Sequence, residues 1–275
     1  IEITECKHLG LTVLNPDVNQ SFLEFAIVPA AKQIRFGMAA VKGVGVAAVD
    51  EIIRARDADG KFASVEDFAK RVSTSKVNRK AWEALIKAGA FDSLGDRSDL
   101  LFNLENILAF ASKLQKEALS GQTDMFASLG KNDGLIPTVE LKSSPVKYTE
   151  KEQLMWEREL LGLYISAHPL DNFDTFFEEQ TIPLLSLTPK VDGQKVTIGG
   201  LVTSVRTIVT KSGTQMAFVA LEDKTGETEV IVFPKLYERL SADLRQDVIV
   251  KVTGTINARD RDGNMSDEAK VIADE

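Results

Sequence analysis

Two glycines, two residues apart, are the first feature of this chain that could act on a ligand. They lie in Ala39-Ala40-Val41-Lys42-Gly43-Val44-Gly45, which leads into a segment with Val49, Ile52 and Ile53 at helical spacing. An apolar–Gly–apolar–Gly run between two helices permits a tight turn and brings bare backbone close to a phosphate. The amides that open the following helix then meet an anion in a favourable dipole field, and Lys42 adds a charge contact. Binding of this kind reads a nucleic-acid backbone and not its bases. A second segment, Lys76-Val77-Asn78-Arg79-Lys80, opens another helix with three basic residues and is a candidate partner hairpin. The candidate duplex-binding residues are therefore Lys42, Gly43, Val44, Gly45, Lys76, Asn78, Arg79 and Lys80. Gly43, Gly45 and Ala48 also fit G-x-G-x-x-A, but a dinucleotide site needs a strand before it, and helical patterns flank this one.

Two further segments could hold partners. In Gly121-Gln122-Thr123-Asp124-Met125-Phe126 a glutamine and an acid precede two large apolar residues. Met125 and Phe126 could enter a hydrophobic pocket while Gln122 and Asp124 meet its polar rim, or the pair could pack on the chain itself. Near the C-terminus, the hairpin from Arg206 to Gly213 carries Arg206 and Lys211 beside a glycine turn. With Phe218, Arg259 and Arg261 it could stack on and neutralise a single strand, although Phe218 could equally be core.

The same inventory argues against other chemistry. Cys6 is the only cysteine, and His8 and His168 are the only histidines. No disulfide or multi-histidine metal site follows, and each histidine reads as a local packing or hydrogen-bonding residue. Asp260 and Asp262 begin like a calcium loop, but Met265 stands where such a loop needs glycine, so a hairpin turn fits better. We assign no catalytic residue, no metal ligand and no cofactor.

Charge is uneven. The 275 residues carry a net charge of −8. Residues 35–97 hold 12 Lys+Arg against 9 Asp+Glu, a net of +3, whereas residues 98–194 hold 8 against 15, a net of −7. The stretch with the glycine turn is thus the basic one, and indiscriminate nucleic-acid binding is disfavoured. No run approaches a membrane span, and a cytoplasmic, reducing setting fits the lone cysteine. The opening IEITECKHLG has no signal-peptide pattern and no initiator Met, and reads as a cut from a longer chain.

These features need elements to position them. Residues 1–34 should begin with a short helix and then extend. Residues 35–97 read as helices separated by tight turns, with Ser64 and Asn78 as N-caps and Gly89 past a helix end. Residues 98–120 should form one long helix, 121–148 a linker, and 149–194 a helical connector led by a helix over 150–165. From Lys195 the period becomes two: five strand candidates, with PKLYERLSADL between the third and fourth, fill 195–275. That order is the OB-fold's, with Gly199-Gly200 placed to bend the long first strand. The fold class is multidomain α + β: a helical region with tandem helix-hairpin-helix, a linker, then a five-stranded OB-fold barrel.

Five segments carry a family likeness. IRFGMAAVKGVG, KVNRKAWEALIKAGAFDSLG, GQTDMF, ERELLGLYISAHPLD and VTIGGLVTSVRTIVTKSGTQMAFVALEDKTGETEVIVFP resemble, in that order, the C-terminal third of the DNA polymerase III alpha subunits, the bacterial replicative C-family DNA polymerases. The resemblance implies that residues 1–34 end a fingers region and that the Gly43–Gly45 and Asn78 segments hold duplex DNA behind the active site. It implies that Gln122, Asp124, Met125 and Phe126 dock on the beta sliding clamp, and that 195–275 accompanies the single-stranded template. The metal-binding carboxylates of polymerisation, with their Mg, would lie in a palm domain upstream, and contacts to other replisome subunits in regions beyond this chain. The competing reading is a free-standing repair or recombination accessory protein built from the same modules.

Overall fold

The computed structural model describes residues 9–29, 31–119, 138–259 and 263–275. The chain divides into two units, residues 1–167 and 168–275.

The first unit opens with three short strands, β1 (Thr12–Leu14), β2 (Ala26–Val28) and β3 (Gln33–Arg35), in the order β1-β3-β2. β1 runs parallel and β2 antiparallel to β3. Then come α1 (Val46–Asp59), α2 (Val65–Arg71) and α3 (Arg79–Lys87). Their starts follow from local chemistry. Ser64 accepts a hydrogen bond from the Asp67 amide, and Asn78 from the Ala81 amide. α3 stops where Gly89 takes a positive φ of 84° and the Ala90 amide reaches back to the Leu85 carbonyl. Phe68 of α2, Trp82 of α3 and Phe91 meet in the core: Phe68 lies edge-on to both, and Trp82 stacks on Phe91 at 5.1 Å. Truncating such a fully buried ring costs about 3–5 kcal/mol.

Residues 98–120 do not form the single helix expected. α4 (Arg97–Phe102) and α5 (Leu104–Leu119) are separated at Asn103. The buried Asn103 carboxamide donates to the Asp99 and Lys142 carbonyls and accepts from the Lys142 amide. The backbone around residue 142, assigned from sequence to a linker, is thereby held against this corner. Lys147 adds ion pairs to Asp96 and Asp99. The helix expected over 150–165 is α6 (Glu150–Leu161), opened by a Thr149–Glu152 capping box and ended by Gly162 at φ 79°. Within it the fully buried Glu157 gathers the amides of Ile165 and Ser166, beyond the helix end, and the side chains of Ser166 and Asn15. The expected 149–194 connector is divided, since its second part belongs to the other unit.

In the second unit α7 (Asp174–Gln180) precedes β4 (Lys195–Val209), β5 (Gln215–Glu222), β6 (Glu227–Val232), α8 (Pro234–Leu240), β7 (Ile249–Arg259) and β8 (Met265–Ala273). The pairing order β4-β5-β6-β8-β7, with β7 returning to β4, closes a barrel. All pairs are antiparallel except β6–β8. Ile198, Val202, Val219, Leu221, Val230 and Val271 fill its interior. The irregularity in β4 falls between Val202 and Ser204, not at the glycines. Gly199 and Gly200 serve close approach instead: a side chain at Gly199 would fall on the Phe177 ring, and one at Gly200 on the Glu222 carbonyl.

Candidate nucleic-acid interface

The first glycine turn is anchored from below and bare above. Val41 and Val44 are buried, while Lys42, Gly43 and Gly45 are exposed. The Lys42 amide donates to the Leu160 carbonyl at the end of α6, and the Val44 amide to the Val41 carbonyl. Gly43 has φ +92°, which a side chain would strain. Gly45 differs. As N-cap of α1 it has an ordinary extended conformation, φ −85° and ψ 155°, and a Cβ there would meet nothing within 4 Å. The protein's own fold therefore does not demand glycine at 45, and a Ser or Asp would cap the helix better. Among the described residues, the amides of Gly45, Val46 and Ala47 have no acceptor, and the first turn of α1 holds no acid. These donors point, with the positive end of the helix dipole, into open space.

The second turn, residues 73–78, repeats the plan. Buried Val72 and Val77 anchor it, Asn78 caps α3, and exposed Arg79 and Lys80 occupy the first two helical positions. Cations at a helix N-terminus oppose its dipole by about 0.3–1 kcal/mol, a cost that an anion arriving there removes. The two turns lie side by side. A Cβ on Gly43 would sit 3.4 Å from Lys80 Cε and 3.8 Å from Ala84 Cβ, so the Lys80 stem crosses the first turn.

The four predicted cations separate into two kinds. Lys42 and Lys80 have no ion-pair partner among the described residues. Lys76 is held by Glu51 of α1 at 3.2 Å, and Arg79 by Glu105 of α5 at 2.6 Å with Glu83 at 3.4 Å. Glu51 is a residue the sequence reading missed. Its side chain is 2 % exposed, accepts hydrogen bonds from Nε and Nη2 of Arg54, and accepts the Ser73 amide at 3.1 Å. The Arg54 hydrogen bonds above all, with Ser73 and Lys76, overcome burial and hold its carboxyl at a pKa of about 2. It straps the second turn to the helix that follows the first. The only signal in the sequence was an acid within the apolar face of α1.

On the barrel, Arg206 of β4 faces its ladder partner Phe218 of β5, with the guanidinium 4.6 Å from the ring centroid. Phe218 points outward and is half-buried, whereas its neighbours Ala217 and Val219 point inward. Lys211 is exposed in the hairpin loop. Arg259 is tied to Asp192 at 3.0 Å. Gln122, Asp124, Met125 and Phe126 lie outside the described residues, as do Asp260, Arg261 and Asp262. No helix among the described residues is long and apolar enough to cross a membrane, and no group of three potential ligands is placed to hold a metal ion.

Two exposed turns in one unit and a cation–aromatic face on a barrel in the other are arrangements of the kind that nucleic-acid-binding modules use. Comparison with family models agrees: residues 10–100 match a helix-hairpin-helix motif, and residues 196–275 an OB-fold nucleic acid binding domain. Over nearly its whole length the chain is homologous to one segment of DNA polymerase III alpha subunits. It is 37 % identical over 266 residues to DNA polymerase III subunit alpha of Mycobacterium tuberculosis, covering 94 % of this chain and 22 % of that protein. The Vibrio cholerae subunit is 34 % identical over 275 residues, covering 99 % and 23 %. The chain thus spans about a fifth of the length of the curated relatives it matches. Among solved structures, asparaginyl-tRNA synthetase from Pyrococcus horikoshii is similar over 34 % of this chain and 22 % of its own, with 19 % identity and a TM-score of 0.28.

Proposed function

We propose that this chain is a DNA-gripping and clamp-tethering part of a replicative DNA polymerase III alpha subunit. The Lys80 stem lying across Gly43, beside amides and two lysines that have no partner among the described residues, carries the reading. In it, two helix-hairpin-helix turns act in tandem. The amides of Gly45, Val46 and Ala47 take one phosphate oxygen cluster, while Lys42 and Lys80 neutralise neighbouring phosphates. Lys76 and Arg79 act mainly as struts, because acids already hold them. The grip is indifferent to base sequence, as processive synthesis requires.

Residues 122–126 dock on the beta sliding clamp through Met125 and Phe126, and the OB barrel touches the single-stranded template through Arg206 and Phe218. Polymerisation itself, with its Mg ions, belongs to palm residues that this chain does not supply, so the chain alone neither incorporates dNTPs nor needs a cofactor. It works in the cytoplasm with the other replisome subunits.

Fluorescence anisotropy with two duplexes of unrelated sequence tests the grip. Equal affinity for both, lost together on Lys42→Ala plus Lys80→Ala, is expected. A strong preference for one duplex contradicts it.

A further inference from the structure

The outer face of the barrel holds an acid between its two best-placed cations. Glu229 of β6 lies 2.8 Å from Lys270 of β8 and 3.8 Å from Arg206 of β4, which in turn covers Phe218 of β5. These contacts make a continuous row, Phe218–Arg206–Glu229–Lys270, across four strands. Every member is partly open to solvent: Arg206 is 66 %, Lys270 38 % and Glu229 32 % exposed. An ion pair this exposed contributes little to folding. Nothing in the barrel's interior needs Glu229, whose Cα partner in the ladder is Ala220 of β5. A carboxylate occupying the same two cations that a single strand's phosphate would seek is instead a competitor for that phosphate.

We propose that Glu229 is an internal phosphate mimic that sets the strength of single-strand binding on this face. With the face empty it bridges Arg206 and Lys270. A base stacking on Phe218 brings a phosphate to the row, and the two cations exchange the carboxylate for it without any backbone movement. The local charge available to the strand is one unit positive, from two cations and one acid, instead of two. The barrel therefore holds a strand loosely enough for it to slide. This inference rests on the reading of the barrel as a single-strand surface and adds the residue that weakens it.

The test is oligo(dT) binding across a salt series. It uses the full chain carrying Lys42→Ala and Lys80→Ala, so that the helical unit contributes little. In that background Glu229→Gln, which keeps shape and removes charge, is compared with Glu238→Gln, an equal charge change on the exposed face of α8. Circular dichroism confirms that both remain folded. Glu229→Gln should raise affinity about two- to five-fold at low salt and steepen the salt dependence by roughly 0.7 in log–log slope, whereas Glu238→Gln should leave the slope unchanged. Equal effects of the two substitutions, or none from Glu229→Gln, overturn the proposal. Phe218→Ala separates the two levels. If it abolishes binding while Glu229→Gln changes nothing, the single-strand surface stands and the mimic falls. If no variant binds oligo(dT), both fall.

Discussion

The side chain of Lys80 runs across Gly43, close enough that a single added carbon on the glycine would lie 3.4 Å from Lys80 Cε. One contact thus joins a turn that offers bare amides to a helix that offers a free cation. Neither turn alone explains why the other is built as it is. The missing side chains at 43 and 45 keep the backbone open, and Lys80, placed against its own helix dipole, becomes favourable once a phosphate is present.

Gly45 gives a test in which stability and binding move in opposite directions. Its conformation suits any residue and nothing surrounds it. Gly45→Asp should cap α1 and raise stability by about 0.5–1 kcal/mol, seen as a higher Tm. The same carboxylate would occupy the phosphate's place, and duplex affinity should fall by roughly tenfold or more. A variant that is more stable and binds DNA as well as before would show that the phosphate lies elsewhere.

Gly43→Ala should lose both properties. Its φ of +92° strains any side chain, and the new methyl group would touch the Lys80 stem at ordinary contact distance. A loss of about 1 kcal/mol in urea unfolding is expected, with weaker duplex binding.

Glu51 makes a pH prediction. Its carboxyl is held at about 2, below its ordinary 4.5. A depressed acid stabilises the fold above its unfolded-state pKa and loses that contribution as pH falls from 4.5 towards 2. The wild-type chain should therefore lose stability over that window more steeply than Glu51→Gln. At neutral pH Glu51→Ala should cost about 1–3 kcal/mol, because the Ser73 amide loses its acceptor. Parallel acid-unfolding curves for wild type and Glu51→Gln would remove Glu51 as the strap between the turns.

The clamp contact is tested on residues 125 and 126. Met125→Ala plus Phe126→Ala should abolish capture of the chain by the beta sliding clamp and leave its far-ultraviolet circular dichroism and duplex binding intact. Capture that survives would mean that this pair does not make the contact.

Much of the scaffold was legible because its causes are local. Glycine spacing and an apolar stripe mark the first turn, Asn78 caps the helix it precedes, and alternating residues with one interposed helix mark the five barrel strands. What escaped depended on partners far away in sequence. Asn103 breaks a helix that its own segment would continue, because its carboxamide bonds the backbone of Lys142. Lys76 and Arg79 looked as free as Lys42 and Lys80, but Glu51 and Glu105 lie 25 and 26 residues away and hold them. Arg259, grouped from sequence with Arg206, is instead held by Asp192, 67 residues earlier. Charge type can be read from a sequence; whether a charge is already neutralised depends on the tertiary fold.

On the proposed reading Lys42 and Lys80 meet phosphates while Lys76 does not. Duplex affinity measured across a salt series, for the wild type, Lys42→Ala plus Lys80→Ala, and Lys76→Ala, tests it most directly. Each lost phosphate contact lowers the log–log slope by about 0.9, so the double variant should be shallower by about 1.8 and Lys76→Ala nearly unchanged. An unchanged slope in the double variant, or an equal loss in Lys76→Ala, would contradict it.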